Sequence, residues 1–200
     1  MAKPLSAFFT IAALSLMATA VLADDTKAPM TAEMEAKMAK AKEAGMPGAG
    51  HAVLKPLEGN WTVKSKFWMK PGVKPALSDA TSTLTWTLGG RFLRQTFNGT
   101  WGGQPFEGQG FLGYDNVAKE YVSVWMDGMS TGIVKSSGQY DKATKTLSEK
   151  GTFNCPIAGA NQPFRAEWKF LNKNSHTYTM YTKDPTGKEF KSMELRYTRK

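Results

Sequence analysis

From residue 61 to the C-terminus, apolar side chains fall on every second position, and short turn signals cut the pattern at close intervals. Trp61, Val63, Phe67 and Met69 alternate with Thr62, Lys64 and Lys66; Phe164, Ala166, Trp168 and Phe170 alternate with Arg165, Glu167 and Lys169. A period of two is that of a strand with one buried face. Pro71-Gly72, Asp115-Asn116, residues 141–144 and residues 184–187 are turn sequences between such runs. The alternation predicts about ten strands, whose short connections leave no room for crossover helices, so neighbours must pair antiparallel.

A meander of that length splits into a sandwich or closes into a barrel. Glycines inside the strands (Gly108, Gly110, Gly132, Gly138, Gly151) favour the barrel, because they relieve crowding where a sheet coils sharply. The expected fold is all-β, an up-and-down antiparallel barrel wide enough to hold a small ligand. Residues 88–116 read as its central hairpin. Gly89-Gly90 is read as a corner within a continuing strand, and Asn98-Gly99 as the opening of a wide turn to residues 106–114. The pair Gly113-Tyr114-Asp115 with Lys119 is echoed by Gly138-Gln139-Tyr140-Asp141 with Lys145, which predicts the same turn in two hairpins.

The N-terminal quarter is different. Lys3, an apolar run over residues 7–22 and Val21-Leu22-Ala23 before two aspartates read as a secretory signal peptide cut after Ala23. The alternative is an uncleaved anchor; Ser6, Thr10, Ser15 and Thr19 dilute the run and favour cleavage. The expected address is periplasmic or secreted, with no stable membrane span after cleavage. Residues 24–50 form a polar leader, a helix over 31–44 capped by Thr31, and a Gly/Pro linker; residues 51–200 form the barrel domain. Met30, Met34 and Met38 make a narrow apolar stripe, expected to rest on the domain surface.

The net charge is +9, and loss of Lys3 leaves +8. In an exported protein that excess points to an anionic envelope surface as a partner rather than to nucleic acid, although the scattered lysines fit an ordinary solvated surface. A single cysteine, Cys155, excludes an internal disulfide. Two histidines and one cysteine make a metal centre improbable, and neither G-x-S-x-G nor H-E-x-x-H is present. His51 and His176, weighed as haem ligands, read better as surface or helix-capping residues, so no cofactor is expected.

Charged residues inside apolar strands are the best pointers to a site, because burial of a charge is costly without a partner. Arg91, Glu107, Asp127 and Glu194 stand out. Trp86, Phe97, Tyr121, Trp125, Tyr178 and Met180 are candidates for an apolar lumen, against the plainer reading of a filled core. Three functions remain open. The first is binding of a small hydrophobic or amphipathic ligand in the lumen. The second is a hydrolase or isomerase using Glu107, Asp127 and Glu194 as lumen carboxylates, which needs them to converge. The third is an envelope interaction protein using the basic surface and the Met-striped helix.

Gly59-Asn60-Trp61 after a short helical turn, with arginines closing the last strand, resembles the lipocalin and fatty-acid-binding superfamily. That resemblance implies a tryptophan at the barrel floor beneath a cation from the final strand, here Trp61 under Arg199, with Arg196 second. The series H-x-x-L-x-x-L-x-G-x-W, L-G-G-R-F-L, F-E-G-x-G, G-Y-D-N, residues 125–131, G-x-Y-D and M-E-x-x-Y-x-R, spanning residues 51–199, is similar to a bacterial family catalogued as domain of unknown function 1579. The resemblance implies an exported, lipocalin-like barrel and no established activity.

Overall fold

The computed structural model describes residues 31–200; the signal-peptide reading of residues 1–23, the leader and Met30 lie outside the described residues. Helix α1 (Ala32–Ala44), helix α2 (Ala49–Leu54) and a 3-10 turn at Lys55–Leu57 precede ten strands. These are β1 (Gly59–Phe67), β2 (Ala76–Thr87), β3 (Phe92–Trp101), β4 (Gln104–Asp115), β5 (Glu120–Asp127), β6 (Val134–Asp141), β7 (Thr146–Cys155), β8 (Gly159–Asn172), β9 (Ser175–Lys183) and β10 (Glu189–Arg199). Each strand pairs antiparallel with the next, and β1 pairs with β10 to close the barrel. The expected ten-stranded, up-and-down architecture is the one observed.

Alternation sets the inner face throughout. Trp61, Val63 and Ser65 of β1, Leu93, Gln95 and Phe97 of β3, and Leu195 and Tyr197 of β10 are buried, while residues between them face solvent. The echoed turns are one device used twice. Asp115 Oδ1 accepts the backbone N–H groups of Val117 and Ala118, and Asp141 Oδ1 those of Ala143 and Thr144. Lys119 and Lys145 then adopt φ of 60° and 53° to re-enter the sheet.

Two turn readings are corrected. Gly89-Gly90 is not a corner in a continuous strand: Thr87 pairs with Phe92, so residues 88–91 are the turn of a β2–β3 hairpin. Asn98-Gly99 does not open a wide turn, because pairing continues through Trp101↔Gln104. The reversal is made by Gly102-Gly103 with φ of 56° and 79°, the left-handed pair that a two-residue hairpin turn demands. Asn-Gly is a plausible turn pair, but a second pair four residues on satisfies the same geometry and keeps the strands longer.

Helix α1 begins as expected, with Thr31 Oγ1 accepting from Met34 N at 3.3 Å. It buries no residue, and Met34 and Met38 are both more than half exposed, so the methionine stripe does not rest on the barrel. The helix is held at its C-terminal end, where Asn116 Nδ2 donates to the carbonyls of Ala44 and Met46 at 2.9 and 2.7 Å.

Candidate ligand-binding site

The two ends of the barrel interior are built differently. At the end where β1 begins and β10 finishes, α2 and the 3-10 turn plug the opening with Leu54 and Leu57, both fully buried. Trp61 lies above them, its Nε1 donating to Leu57 O at 3.0 Å. The Arg199 guanidinium sits 4.2 Å from the Trp61 ring centroid and donates to the carbonyls of Pro56, Glu58 and Lys173. Trp61 and Arg199 face each other across the β1–β10 seam, while Arg196 points to solvent. A planar guanidinium can stack on an indole and still donate in its own plane, which is the use made of Arg199 here.

His176 belongs to this floor, so its reading as a surface or capping residue is corrected. It is 2% exposed, stacked on Tyr197 at 4.3 Å and edge-on to Trp61 at 4.4 Å. Burial, assisted by the nearby Arg199 charge, lowers its pKa to about 3 and keeps the imidazole neutral. His51 does cap a helix, its Nδ1 accepting from Gly48 N at 3.1 Å, but it is buried as well.

Above the floor the barrel is hollow. A cavity of about 440 Å³ opens toward the loops at the other end. Phe97, Phe106, Trp125, Trp168, Tyr178 and Met180 are prominent in its wall. Phe97 stands edge-on to both Phe106 and Trp125, with centroids 6.0 and 6.2 Å apart. The indole of Trp125 lies against β4, and a Cβ on Gly108 or Gly110 would collide with it. Those two strand glycines therefore make room for a side chain of the lumen.

Polar groups in the wall are few. Gln95 Nε2 donates to Ser82 Oγ at 2.9 Å and to the Tyr197 hydroxyl at 3.2 Å. Asp127, near the open end, accepts from Trp125 Nε1 and from Met129 N, both at 3.0 Å. Glu149 of β7 is 2% exposed and accepts from Trp168 Nε1 at 3.2 Å through Oε2, while Oε1 has no partner. Burial raises its carboxyl to about 7, against the hydrogen bond from Trp168 that favours the ionised form. Burial and the Glu149 charge in turn hold the Tyr178 phenol well above its usual range. Ser65 Oγ is a second buried, unpartnered polar atom in the cavity wall.

The residues singled out from the sequence divide accordingly. Phe97, Trp125, Asp127, Tyr178 and Met180 line the cavity. Trp86 and Tyr121 are not in its wall: both pack at the floor end, and the Tyr121 hydroxyl donates to Gly50 O at 3.1 Å. Arg91 lies in the β2–β3 turn, where Nε donates to Gly45 O at 2.8 Å and a second nitrogen to Leu88 O at 3.0 Å, pinning the segment before α2. Glu107 is exposed on the outer face of β4, opposite Asn98. Glu194 also points outward, between Lys66 and Lys191. The carboxylates required by the hydrolase or isomerase reading, Glu107, Asp127 and Glu194, therefore do not converge.

Glu149 was missed. It sits two residues after Leu147, which is fully buried, so the period-two rule carried it inward with its neighbour. The short run around it, T-L-S-E-K-G-T, is too polar to announce a buried face.

The family model described as "Protein of unknown function (DUF1579)" matches residues 46–199. Among solved structures, the chain is similar to the crystal structure of Rv2717c from M. tuberculosis, with a TM-score of 0.59 at 14% identity over 78% of this chain and 99% of that one. At such identity the likeness extends to the fold alone. A redesigned β-barrel aligns with a TM-score of 0.41 at 14% identity, over 77% of this chain and 99% of that one. No curated protein matches the chain.

Proposed function

The chain belongs to this family of unknown function, and we propose that it is a binding protein whose barrel lumen takes a small, mostly apolar molecule carrying one polar group. The cavity of about 440 Å³ carries the reading: it lies within the range typical of small-molecule sites and pairs a largely apolar wall with a few fixed polar atoms. Core side chains of this size would fill the space if filling it were their only role, since protein interiors pack with few voids. Ordinary function would take place in the periplasm or outside the cell. Such a binder would shield an apolar cargo from water, and the basic exterior would favour approach to anionic surfaces.

The test is native mass spectrometry of protein purified from its own source, followed by solvent extraction and identification of what is released. Co-purification of a small molecule, and quenching of Trp125 and Trp168 fluorescence when it is added back, is the expected result. Protein that carries nothing and shows no fluorescence response across a panel of amphiphiles would defeat the reading.

A further inference from the structure

The charge of the lumen is opposite in sign to that of the molecule as a whole. The chain carries 26 lysines and arginines against 17 acidic residues. Yet among the described residues that line the cavity there is no lysine, arginine or histidine, and the ionisable carboxyls are Asp127 near the open end and Glu149 deep in the wall. A barrel that receives the carboxylate of an amphiphile needs a cation inside to meet it. Here such a head group would face two acids and find no counter-charge.

The geometry points to an amphipathic amine as the ligand class, its ammonium group held by Glu149 and its apolar body lying against Trp125, Phe97 and Met180. This proposal rests on the reading of the lumen as a binding site and specifies what the site selects. Three observations converge on the head-group position. Glu149 Oε1 lacks a partner although the residue is 2% exposed, so the carboxyl has a buried acceptor position that no group of the described chain satisfies. Its other oxygen is fixed by Trp168 Nε1, which orients the carboxyl. The rings of Trp168 and Tyr178, 4.8 Å apart, line the same region of the cavity wall, and aromatic rings beside a charged group favour a cation over an anion. Asp127 adds negative potential along the route inward. The ion pair forms by transfer of no group other than a proton: an ammonium ligand meets the carboxylate form of Glu149, and the proton of the neutral acid is released to solvent.

The experiment uses three probes with one tail, decylammonium, decanol and decanoate, titrated into the full mature chain at neutral pH with tryptophan fluorescence and calorimetry as readouts. Decylammonium is expected to bind about tenfold or more tightly than decanoate, and to lose about tenfold in Glu149→Gln while decanol binding persists. Glu107→Gln, on the outer face, is expected to leave all three within about twofold of the original. The head-group ranking in the unaltered protein decides the matter by itself should Glu149→Gln not fold. Decanol or decanoate binding best, or an amine preference that survives Glu149→Gln, would overturn the amine assignment and leave the lumen-binding reading standing. Failure of all three probes to bind would overturn both.

Discussion

The floor and the upper lumen of this barrel are made from the same strands and similar residues, yet one is solid and the other hollow. At the floor, Trp61, His176 and Tyr197 pack together with ring centroids 4.3 to 6.4 Å apart, and two leucines from outside the sheet close the gap beneath them. Higher up, Phe97, Trp125 and Met180 meet a cavity instead of a second layer. The difference teaches where stability and selectivity reside. Side chains with neighbours all round hold the barrel shut, whereas side chains with one empty side are available to a ligand.

Trp61→Ala should therefore cause the largest loss, about 3–5 kcal/mol, because a fully buried indole and the stacked Arg199 are both left without their partner. Chemical denaturation followed by circular dichroism measures it, and a loss below that of a lumen residue would erase the contrast.

Glu149 gives the second effect, and its sign is opposite to that of an ordinary surface carboxylate. Its folded pKa of about 7 lies above the usual 4.5, so its contribution to stability is present in full below pH 4.5 and is lost as pH rises through 7. The loss is of order 3 kcal/mol. Glu149→Gln cannot titrate, so the gap between variant and original should move in the variant's favour by that amount across the window. His176 acts the other way, its depressed pKa giving stability that is lost as pH falls from 6.5 toward 3. It is present in both proteins and cancels from the comparison. A gap that stays constant with pH would mean Glu149 is not held neutral.

Met180→Ala should be the mildest, no more than about 2 kcal/mol, because the side chain already borders open space and its removal enlarges a cavity rather than creating one. A cost equal to that of Trp61→Ala would show that the upper half is packed in solution.

The strand order and the floor were legible because buried neighbours repeat on one face over many residues. Trp61 with Val63, and Leu195 with Tyr197 and Arg199, fix the inner face by themselves. The acidic residues were harder. Alternation says which residues share a face, and only a strongly apolar partner says which face is inside. For Glu194 the partner was there: Met193, Leu195 and Tyr197 turn inward, which places Glu194 outside. For Glu107 the inward set includes Gly108 and Gly110, and glycine gives no apolar signal. Glu149 has Leu147 on its side but Gly151 beyond it, so one leucine had to outweigh three polar neighbours. What no pattern could supply is the empty volume, because that depends on how far apart ten strands stand.

The closure of β1 on β10 has a consequence for how the barrel assembles. Each of the other strand pairs is a hairpin that can form locally as the chain collapses. Among the strand pairs, the seam alone joins residues far apart in sequence, as in Thr62 Oγ1 donating to Thr198 O across 136 positions. Bringing those ends together incurs the largest loop-closure entropy in the fold. Trp61 and Arg199 lie on this seam, so the contact that seals the floor also rewards the slowest encounter. We expect the latch to form late, and loss of either residue to speed unfolding more than it slows folding.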